Sequence, residues 1–197
     1  NIGASIKDLD EPLAQKIETH RAWVDTAGKE GRQLDLSGFD LRSLEKLKME
    51  KLTAIKAFRA RFFGMNLYKI EMQSAMLDEA DFRRCDMEEA DLRGSSFVAA
   101  RLNHTNLRNA NFNPLMFGGG QTTKRFNPCD FENASLSYAD LSGCKLRSAN
   151  FRGANLSYAN FVGADLRDAD FTGAKIDNTN FDGANMEIGL WEAVDEN

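Results

Sequence analysis

Large apolar residues recur along this chain with a period of five. Every fifth residue from Phe131 to Trp191 is large and apolar, and the same spacing runs earlier from Phe62 to Phe117. A small residue usually stands two positions before each of them, and the residue between is often Asp or Asn. Such regularity predicts a repeat architecture in which each repeat is one structural unit.

A period of five fits neither the 3.6-residue turn of a helix nor the two-residue alternation of a strand. Repeats whose first and third residues point inward describe a short extended piece followed by a corner. Four such pieces would close a square coil of 20 residues, and coils would stack at roughly the 4.8 Å strand spacing. The inner slot beside each large residue must be small because the square is narrow. Neighbouring coils bury each other's inner faces.

The motif A-(D/N)-(L/F)-x-x, seen at Ala149–Gly153 and at Ala164–Asp168, resembles that of the pentapeptide-repeat proteins. The resemblance covers roughly residues 60–191 and extends more weakly back to residue 34. It implies an all-β solenoid, a right-handed quadrilateral β-helix of stacked pentapeptide repeats. It implies much less about function, because most members of the family have none assigned.

Breaks in the pattern predict four parts of the chain. These are an N-terminal helical cap at 1–33, degenerate first coils at 34–61, the β-helix at 62–191 and a tail at 192–197. The first repeats, Leu34–Leu41, are one register off the block that begins near Phe62. The Lys-, Glu- and Leu-rich stretch from Leu44 to Leu52 fits degenerate coils or a short helical insertion, and we prefer coils.

A second break lies between Phe117 and Phe126, which are nine residues apart, one repeat plus four. The surplus lies in the segment 118–123, which contains a glycine triplet. Glycine triplets are unsuited to a stacked coil, so we expect a protruding loop insertion here. The segment does not match the phosphate-loop motif.

The N-terminal part has a helical pattern. Asp10–Pro12 predicts a helix start, and Gly28 and Gly31 predict its end. The residues sharing one face of this helix are Leu13, Ile17, His20 and Val24. A solenoid exposes a raw edge at each end, so the helix is expected to cover the first coil. His20, without partners for a metal or a base, is interpreted as a boundary residue with one satisfied hydrogen bond.

Charge, hydropathy and cysteine content limit the cellular environments and partners that suit this chain. The 197 residues carry a formal net charge of −5, which gives no general affinity for nucleic acid or membrane. No apolar run is long enough for a membrane span, and the first residues lack the features of a signal peptide. The odd number of cysteines, three, predicts a reducing, cytoplasmic compartment. Because chains normally begin with Met, Asn1 indicates a piece of a longer protein.

Residues suited to catalysis or metal binding form no site pattern. Cys85, Cys129 and Cys144 each occupy the small inward slot and are interpreted as substitutes for Ala. His104 falls at an outward corner, far from His20 in the sequence. The recurring Asp and Asn are explained by hydrogen bonds to local backbone at each corner. We therefore expect no enzyme, metal, cofactor or small-molecule substrate.

Counting the loop as a four-residue insertion assigns every repeat to one of four faces. One face then collects a basic stripe, made of Arg61, Arg83, Arg84, Arg101, Arg125, Lys145, Arg147 and Arg167. We predict this stripe as a partner-binding face for an acidic protein or a phosphate backbone.

The C-terminal end of the repeats is apolar and has little sequence after it to cover it. The candidate dimer edge consists of Met186, Ile188, Leu190 and Trp191. An uncovered solenoid end pairs with another copy or is capped, so we predict a homodimer through this end.

Three functional hypotheses remain open. The preferred one is a non-catalytic protein-interaction scaffold in a bacterial cytoplasm, as the repeat part of a larger regulator. The second is a gyrase-protecting protein that mimics DNA and binds the topoisomerase, against which the arginine stripe counts. The third is an exported effector.

Overall fold

A computed structural model describes residues 3–44, 47, 49–117 and 125–186 of the chain. Its regular elements are short and few. They are β1 (Ala4–Ser5), a 3-10 helix (Ile6–Asp8), α1 (Leu13–Asp25), β2 (Phe39–Asp40), β3 (Leu115–Phe117) and β4 (Arg125–Asn127). Most of the remaining chain consists of five-residue units in which one parallel bridge is followed by a turn.

Parallel β-bridges connect each repeat to the repeat one coil further along the chain. Partners such as Arg61 and Asp81 are 20 positions apart, so one coil holds four repeats and the bridges form four ladders. The Asp40 ladder consists of positions 40, 61, 81, 101, 135, 155 and 175. The Lys51 ladder consists of positions 51, 71, 91, 111, 145, 165 and 185. The chain is therefore a solenoid, as its period predicted.

A tight turn follows the central apolar residue of each repeat. After Phe62, the backbone N–H of Met65 donates to the Phe62 carbonyl over 2.9 Å. The third turn residue, Gly64, has a φ of +72°, whereas the second has no positive φ, which is the geometry of a type II turn. The Asp or Asn before the central residue accepts from the backbone two residues on, as Asn66 does from Tyr68 over 3.1 Å. This confirms the structural role predicted for the recurring Asp and Asn.

The core runs along the inside of the coils. Central residues such as Phe62 and Phe82 are fully buried, and their rings stack at 4.5 Å. Alanines such as Ala159 fill the small inward slot. Where this slot is polar, its side chain donates to a carbonyl of the preceding coil, as Thr105 does to Phe82 over 2.7 Å. Most slots thus hold a small side chain whose donor, where it has one, is satisfied, but Ile55, Met65 and Ile70 fill the same slot in the early coils, so the predicted need for a small residue does not hold there.

One extra residue shifts the register of the first coil. Asp35 pairs with Lys56, 21 positions away, and the buried residues Leu41 and Leu47 are six positions apart. Lys51 pairs with Glu71, which agrees with the degenerate-coil interpretation of this stretch. Residues 45, 46 and 48 lie outside the described part of the chain.

The second irregularity is larger than the sequence predicted. Arg101 pairs with Ser135, 34 positions away, so the insertion has 14 residues and the prediction of four was wrong. The extra chain leaves as β3 and returns as β4, antiparallel, with Met116 opposite Phe126. Phe126, from which the spacing of five was counted again after the loop, is 53% exposed and is therefore not a central residue of a repeat. The predicted loop at 118–123 lies outside the described residues.

The N-terminal segment covers the first coil with a strand and a helix. β1 pairs in parallel with β2, with Ser5 opposite Asp40, and so adds one rung to the Asp40 ladder. Leu13 and Ile17 of α1 pack against the core. The predicted helix start at Asp10–Pro12 lies directly before α1, where Asp10 forms an ion pair with Lys16 at 2.7 Å. None of the helices in the described ranges has the length and apolar character needed to cross a bilayer.

His20 is the polar centre of this cap and is fully buried. Its Nδ1 accepts from the backbone N–H of Leu34 at 3.0 Å, and its Nε2 lies 2.8 Å from the Thr53 carbonyl. The ring must therefore be neutral with its proton on Nε2. The interpretation as a boundary residue with one hydrogen bond was wrong, because the ring bridges α1 and two segments of the first coils with both nitrogens.

Candidate partner-binding surface

The 14-residue insertion divides the predicted basic stripe between two faces. Four of its members lie on or beside the Asp40 ladder, namely Arg61, Arg83, Arg84 and Arg101. Three others lie on or beside the Lys51 ladder, namely Lys145, Arg147 and Arg167. Arg125 belongs to β4, and its side chain is outside the described part. The prediction of one continuous stripe was wrong, because it assumed a shorter insertion.

The three cations beside the Lys51 ladder include two that are held in exposed ion pairs. Arg147 Nε lies 3.2 Å from Asp168 Oδ2, and Arg167 Nη2 lies 2.6 Å from Asp165 Oδ2. Hydrogen bonds from Arg167 lower the pKa of the Asp165 carboxyl below its usual value. Exposed pairs of this kind contribute little to stability. These arginines are therefore largely matched by local carboxylates.

Arginines on the Asp40 ladder alternate with aspartates along the rod. The bridge partners Asp40, Arg61, Asp81 and Arg101 carry alternating signs in successive coils. Hydrogen bonds from the neighbouring Arg42 lower the pKa of Asp40 to about 2. Residues of like charge are therefore not direct neighbours at these four positions of the ladder. Charge repulsion between successive coils is accordingly small there.

Asp81 is the carboxylate at the centre of this cluster and is 7% exposed. Arg83 donates to both of its oxygens, at 2.8 and 2.6 Å, and Arg101 lies at 4.0 Å. Burial raises the pKa of Asp81, but the hydrogen bonds from Arg83 outweigh it, so that the pKa lies below its usual value. Arg84 is exposed and has no carboxylate partner among the described residues. Positive charge therefore exceeds negative charge around Asp81.

An aromatic stack continues this face beyond the arginines. The rings of His104 and Tyr138 stack at 4.9 Å, and those of Tyr138 and Tyr158 at 4.8 Å. Tyr138 is 52% and Tyr158 is 50% exposed. Sequence reasoning missed this stack. The 20-residue spacing of the two tyrosines was a usable signal, but His104 joins them only once the insertion length is known.

The arginines and the aromatic stack form one surface, which we call the Arg–Tyr face. It consists of Arg61, Phe63, Arg83, Arg84, Arg101, His104, Tyr138 and Tyr158. A shallow concavity on this face is lined by residues that include Arg84, Arg101, His104 and Tyr138. The guanidinium of Arg83 lies 5.3 Å from the centre of the Phe63 ring, which helps to hold that side chain in place.

The cysteines have no reactive character. All three are buried, and each thiol donates to a backbone carbonyl, as Cys144 does to Leu107 over 2.9 Å. Burial raises the pKa of both Cys85 and Cys129 to about 12. A thiol with so high a pKa is neither a nucleophile nor a ready metal ligand at neutral pH. Over the described ranges, no group of three or more His, Cys, Asp and Glu side chains is arranged to hold a metal ion.

The candidate dimer edge is described only at its first residue. Met186 is half-buried and packs against the end of the core. The other predicted members, Ile188, Leu190 and Trp191, lie outside the described residues, so dimerisation remains a prediction.

Solved structures with the same coil architecture include HetL, a pentapeptide repeat protein involved in heterocyst differentiation regulation from the cyanobacterium Nostoc sp. strain PCC 7120. It is 27% identical to this chain, with a TM-score of 0.63, over 80% of this chain and 64% of HetL. The chain thus spans less than two thirds of the length of HetL. Rfr23 from Cyanothece 51142 is 16% identical over 75% of this chain and 95% of its own, with a TM-score of 0.39.

QnrB1, a plasmid-mediated fluoroquinolone resistance protein, is 19% identical over 82% of this chain and 93% of its own, with a TM-score of 0.35. Comparison with curated protein sequences found no match. The family model for pentapeptide repeats matches in eight copies, at residues 58–94, 75–113, 125–153 and 149–187. Together these matches cover more than half of the sequence, and the chain belongs to the pentapeptide repeat family.

Proposed function

We propose that this chain is a non-catalytic protein-interaction scaffold, a right-handed quadrilateral β-helix that presents charged faces to a protein partner. The observation that carries the proposal is that inward and outward side chains have separate roles within each repeat. Two side chains of each repeat point inward and form the core, while the others are stacked outward in register, one coil apart. A rod of this kind holds outward side chains at fixed spacing, which lowers the entropy lost on binding.

The chemistry of the inward residues supports a binding role over a catalytic one. The cysteines are buried with raised pKa values, and both nitrogens of His20 bind backbone groups. These residues act in folding. The free, buried cysteines also support our proposal that the protein works in the bacterial cytoplasm.

A role within a larger regulator is supported by the likeness to HetL, which is involved in heterocyst differentiation regulation. The alternative hypothesis, a DNA mimic that binds a topoisomerase, requires negative charge along the rod. The Asp40 ladder instead alternates in sign over its first four coils, and Arg84 adds positive charge beside it. No feature of the described residues favours an exported effector over these two.

Site-specific photo-cross-linking in cells tests the scaffold role. A photoreactive phenylalanine replaces one outward residue at a time, Ser137 on the Asp40 ladder side or Arg108 on another face. We expect one face to yield a discrete cross-linked protein and the other to yield background. Equal background at both positions would contradict the proposal. Gyrase supercoiling in the presence of a quinolone tests the alternative, and protection by this chain would favour the DNA mimic.

A further inference from the structure

We propose that the Arg–Tyr face binds an acidic segment of the partner protein, laid along the rod axis across the coils of Arg84, His104, Tyr138 and Tyr158. This inference rests on the proposed scaffold function and specifies its surface and the chemistry of its partner. No residue of this face takes part in the buried core. Its members therefore remain available without any unfolding of the coils.

Charge is the first argument for an acidic partner. Arg61 lies 3.6 Å from the Asp40 carboxylate, and Arg83 already engages the carboxylate of Asp81. Arg101 lies 4.0 Å from the same carboxylate and is 53% exposed, which leaves most of its hydrogen-bonding capacity free. Arg84 has no carboxylate partner within the described ranges. On a protein of net charge −5, this local excess of cations complements a carboxylate-rich partner.

Rigidity is the second argument. Arg83 is fixed between the Asp81 carboxylate and the Phe63 ring. Arg84 stands at the third position of a type II turn, with its φ of +59° set by the coil. Successive coils are held by backbone hydrogen bonds, such as that from Arg84 to Asn103 at 3.2 Å. Arginine loses less entropy on binding when its backbone and its neighbours are already ordered.

The geometry of the aromatic stack argues for a protein segment over a nucleic acid. Interplanar angles are 4° for His104 and Tyr138 and 1° for Tyr138 and Tyr158, so the ring faces are turned towards each other. Bases bind single-strand sites by stacking on open aromatic faces, and such faces are largely occupied here. What the two half-exposed tyrosines present is ring edge and phenol hydroxyl, which donates well to a carboxylate.

The length of the face sets the size of the partner segment. Four coils at the strand spacing extend over roughly 15 Å, which an extended chain covers with about five residues. An alternating sequence places every second side chain on the same side, so that carboxylates can face the arginines and the tyrosines together. A short acidic segment of alternating pattern is therefore the occupant that this surface fits.

Fluorescence anisotropy with a labelled peptide of six Glu-Ser repeats tests the proposal on the full chain. The double variant Arg84→Gln/Arg101→Gln removes two cations from the face. Its matched control, Lys51→Gln/Arg108→Gln, removes two exposed cations elsewhere. We expect the first to weaken binding roughly two- to thirtyfold, from the strength of two exposed ion pairs, and the control to weaken it less than the first.

A second variant isolates the tyrosine hydroxyls. Tyr138→Phe/Tyr158→Phe keeps the ring stack and the net charge. We expect it to weaken peptide binding several-fold, because hydrogen bonds from the hydroxyls to charged groups are lost. Unfolding temperatures of all three double variants should match that of the wild type, because every change is on the outer surface.

Several results would overturn the proposal. One is a wild-type chain that does not bind the peptide, and another is an equal loss of binding in the face variant and its control. Another is tighter binding of a single-stranded oligothymidine than of the peptide. If the same variants abolish that binding, the face binds nucleic acid. If cross-linking finds a protein partner whose binding tolerates Arg84→Gln/Arg101→Gln, the scaffold role stands and only this surface is wrong.

Discussion

At the scale of single residues, Gly94 is the turn residue against which the base of the β3–β4 hairpin packs. Its φ is +65°, and a Cβ at this position would lie 3.1 Å from Leu115 Cβ. Asn127 Nδ2 donates to the Gly94 carbonyl over 2.7 Å, so the base of the hairpin packs on this turn. We expect Gly94→Ala to lower the free energy of unfolding by about 2–4 kcal/mol, from left-handed backbone strain and overpacking together. Urea denaturation measures the change.

Gly163→Ala is the matched control for this prediction. Gly163 has nearly the same φ, +67°, but no atom lies within 4 Å of the added Cβ. Alanine already occupies the equivalent turn position at Ala54 and Ala99. We expect a loss of about 1–2 kcal/mol, the cost of the backbone conformation alone. An equal loss at both glycines would show that the hairpin does not pack on Gly94.

The buried His20 predicts a pH-dependent stability. Burial lowers the pKa of its imidazole below the ordinary value of 6.5, so the folded state binds this proton less readily than the unfolded state. Stability is therefore full above about pH 6.5 and falls as the pH drops below it, until the folded pKa is reached. Protonation also places an N–H on Nδ1 against the N–H of Leu34. Thermal unfolding followed between pH 7.5 and 4.5 measures the decline.

Two variants separate His20 from the carboxylates, which titrate at lower pH. Only two histidines are present, and His104 is exposed on the Arg–Tyr face. His20→Gln should lose stability at neutral pH and flatten the decline between pH 6.5 and 5, because the titrating group is gone. His104→Gln should keep the decline. A wild-type stability that does not change over this interval would argue against a neutral, hydrogen-bonded His20.

At the scale of the repeat, Ala159 tests the division between inward and outward positions. Ala159 is 1% exposed and occupies the small inward slot of its repeat. We expect Ala159→Leu to lower the free energy of unfolding by roughly 1–3 kcal/mol or more, since the added carbons overpack the coil. Ala99→Leu makes the same change at an exposed turn position and should cost less than about 0.5 kcal/mol. Similar losses for both, measured by chemical denaturation, would contradict the inward and outward assignment.

The repeats were predictable from the sequence because each one contains the full pattern, a small residue, Asp or Asn, and a large apolar residue, within five positions. The 14-residue insertion was not, because Phe117 continues the spacing of five after Phe112 while its backbone already belongs to β3. An apolar residue at the right interval looks the same in a coil and in a hairpin strand. β1 was also missed, since its two residues, Ala4 and Ser5, carry no periodic signal.

Whether each residue of the candidate site was placed on the correct face depended on the assumed length of the insertion. Arg61, Arg83, Arg84 and Arg101 precede it, and the sequence placed them together correctly. Every member after it was assigned to a wrong face, because a single error in the insertion length rotates all later repeats. The same error concealed the stack of His104 on Tyr138, two residues 34 positions apart. Long-range register therefore needs pairing information that a local period does not contain.

At the scale of the whole molecule, the burial of the core changes along the described part of the rod. The N-terminal end has β1, α1 and the buried His20 over the first coil. Towards the other end, burial of the central residues falls. Phe151 and Phe161 are fully buried, whereas Phe171, Ile176 and Met186 are only partly so. Partly buried apolar residues at a solenoid end favour contact with a further element or a second copy.

We predict that the full chain forms a homodimer through this end. A contact of roughly 7 kcal/mol is half formed near 10 µM, so sedimentation equilibrium at tens of micromolar detects it. Met186→Glu places a charge in the contact and should shift the population to monomer, because burying an unpaired carboxylate is costly. Met49→Glu is the matched control, since Met49 is 62% exposed near the opposite end, and it should leave the dimer intact. A wild-type chain that sediments as a monomer would contradict the prediction. Dissociation by both variants alike would instead place the contact elsewhere on the rod, or attribute it to net charge.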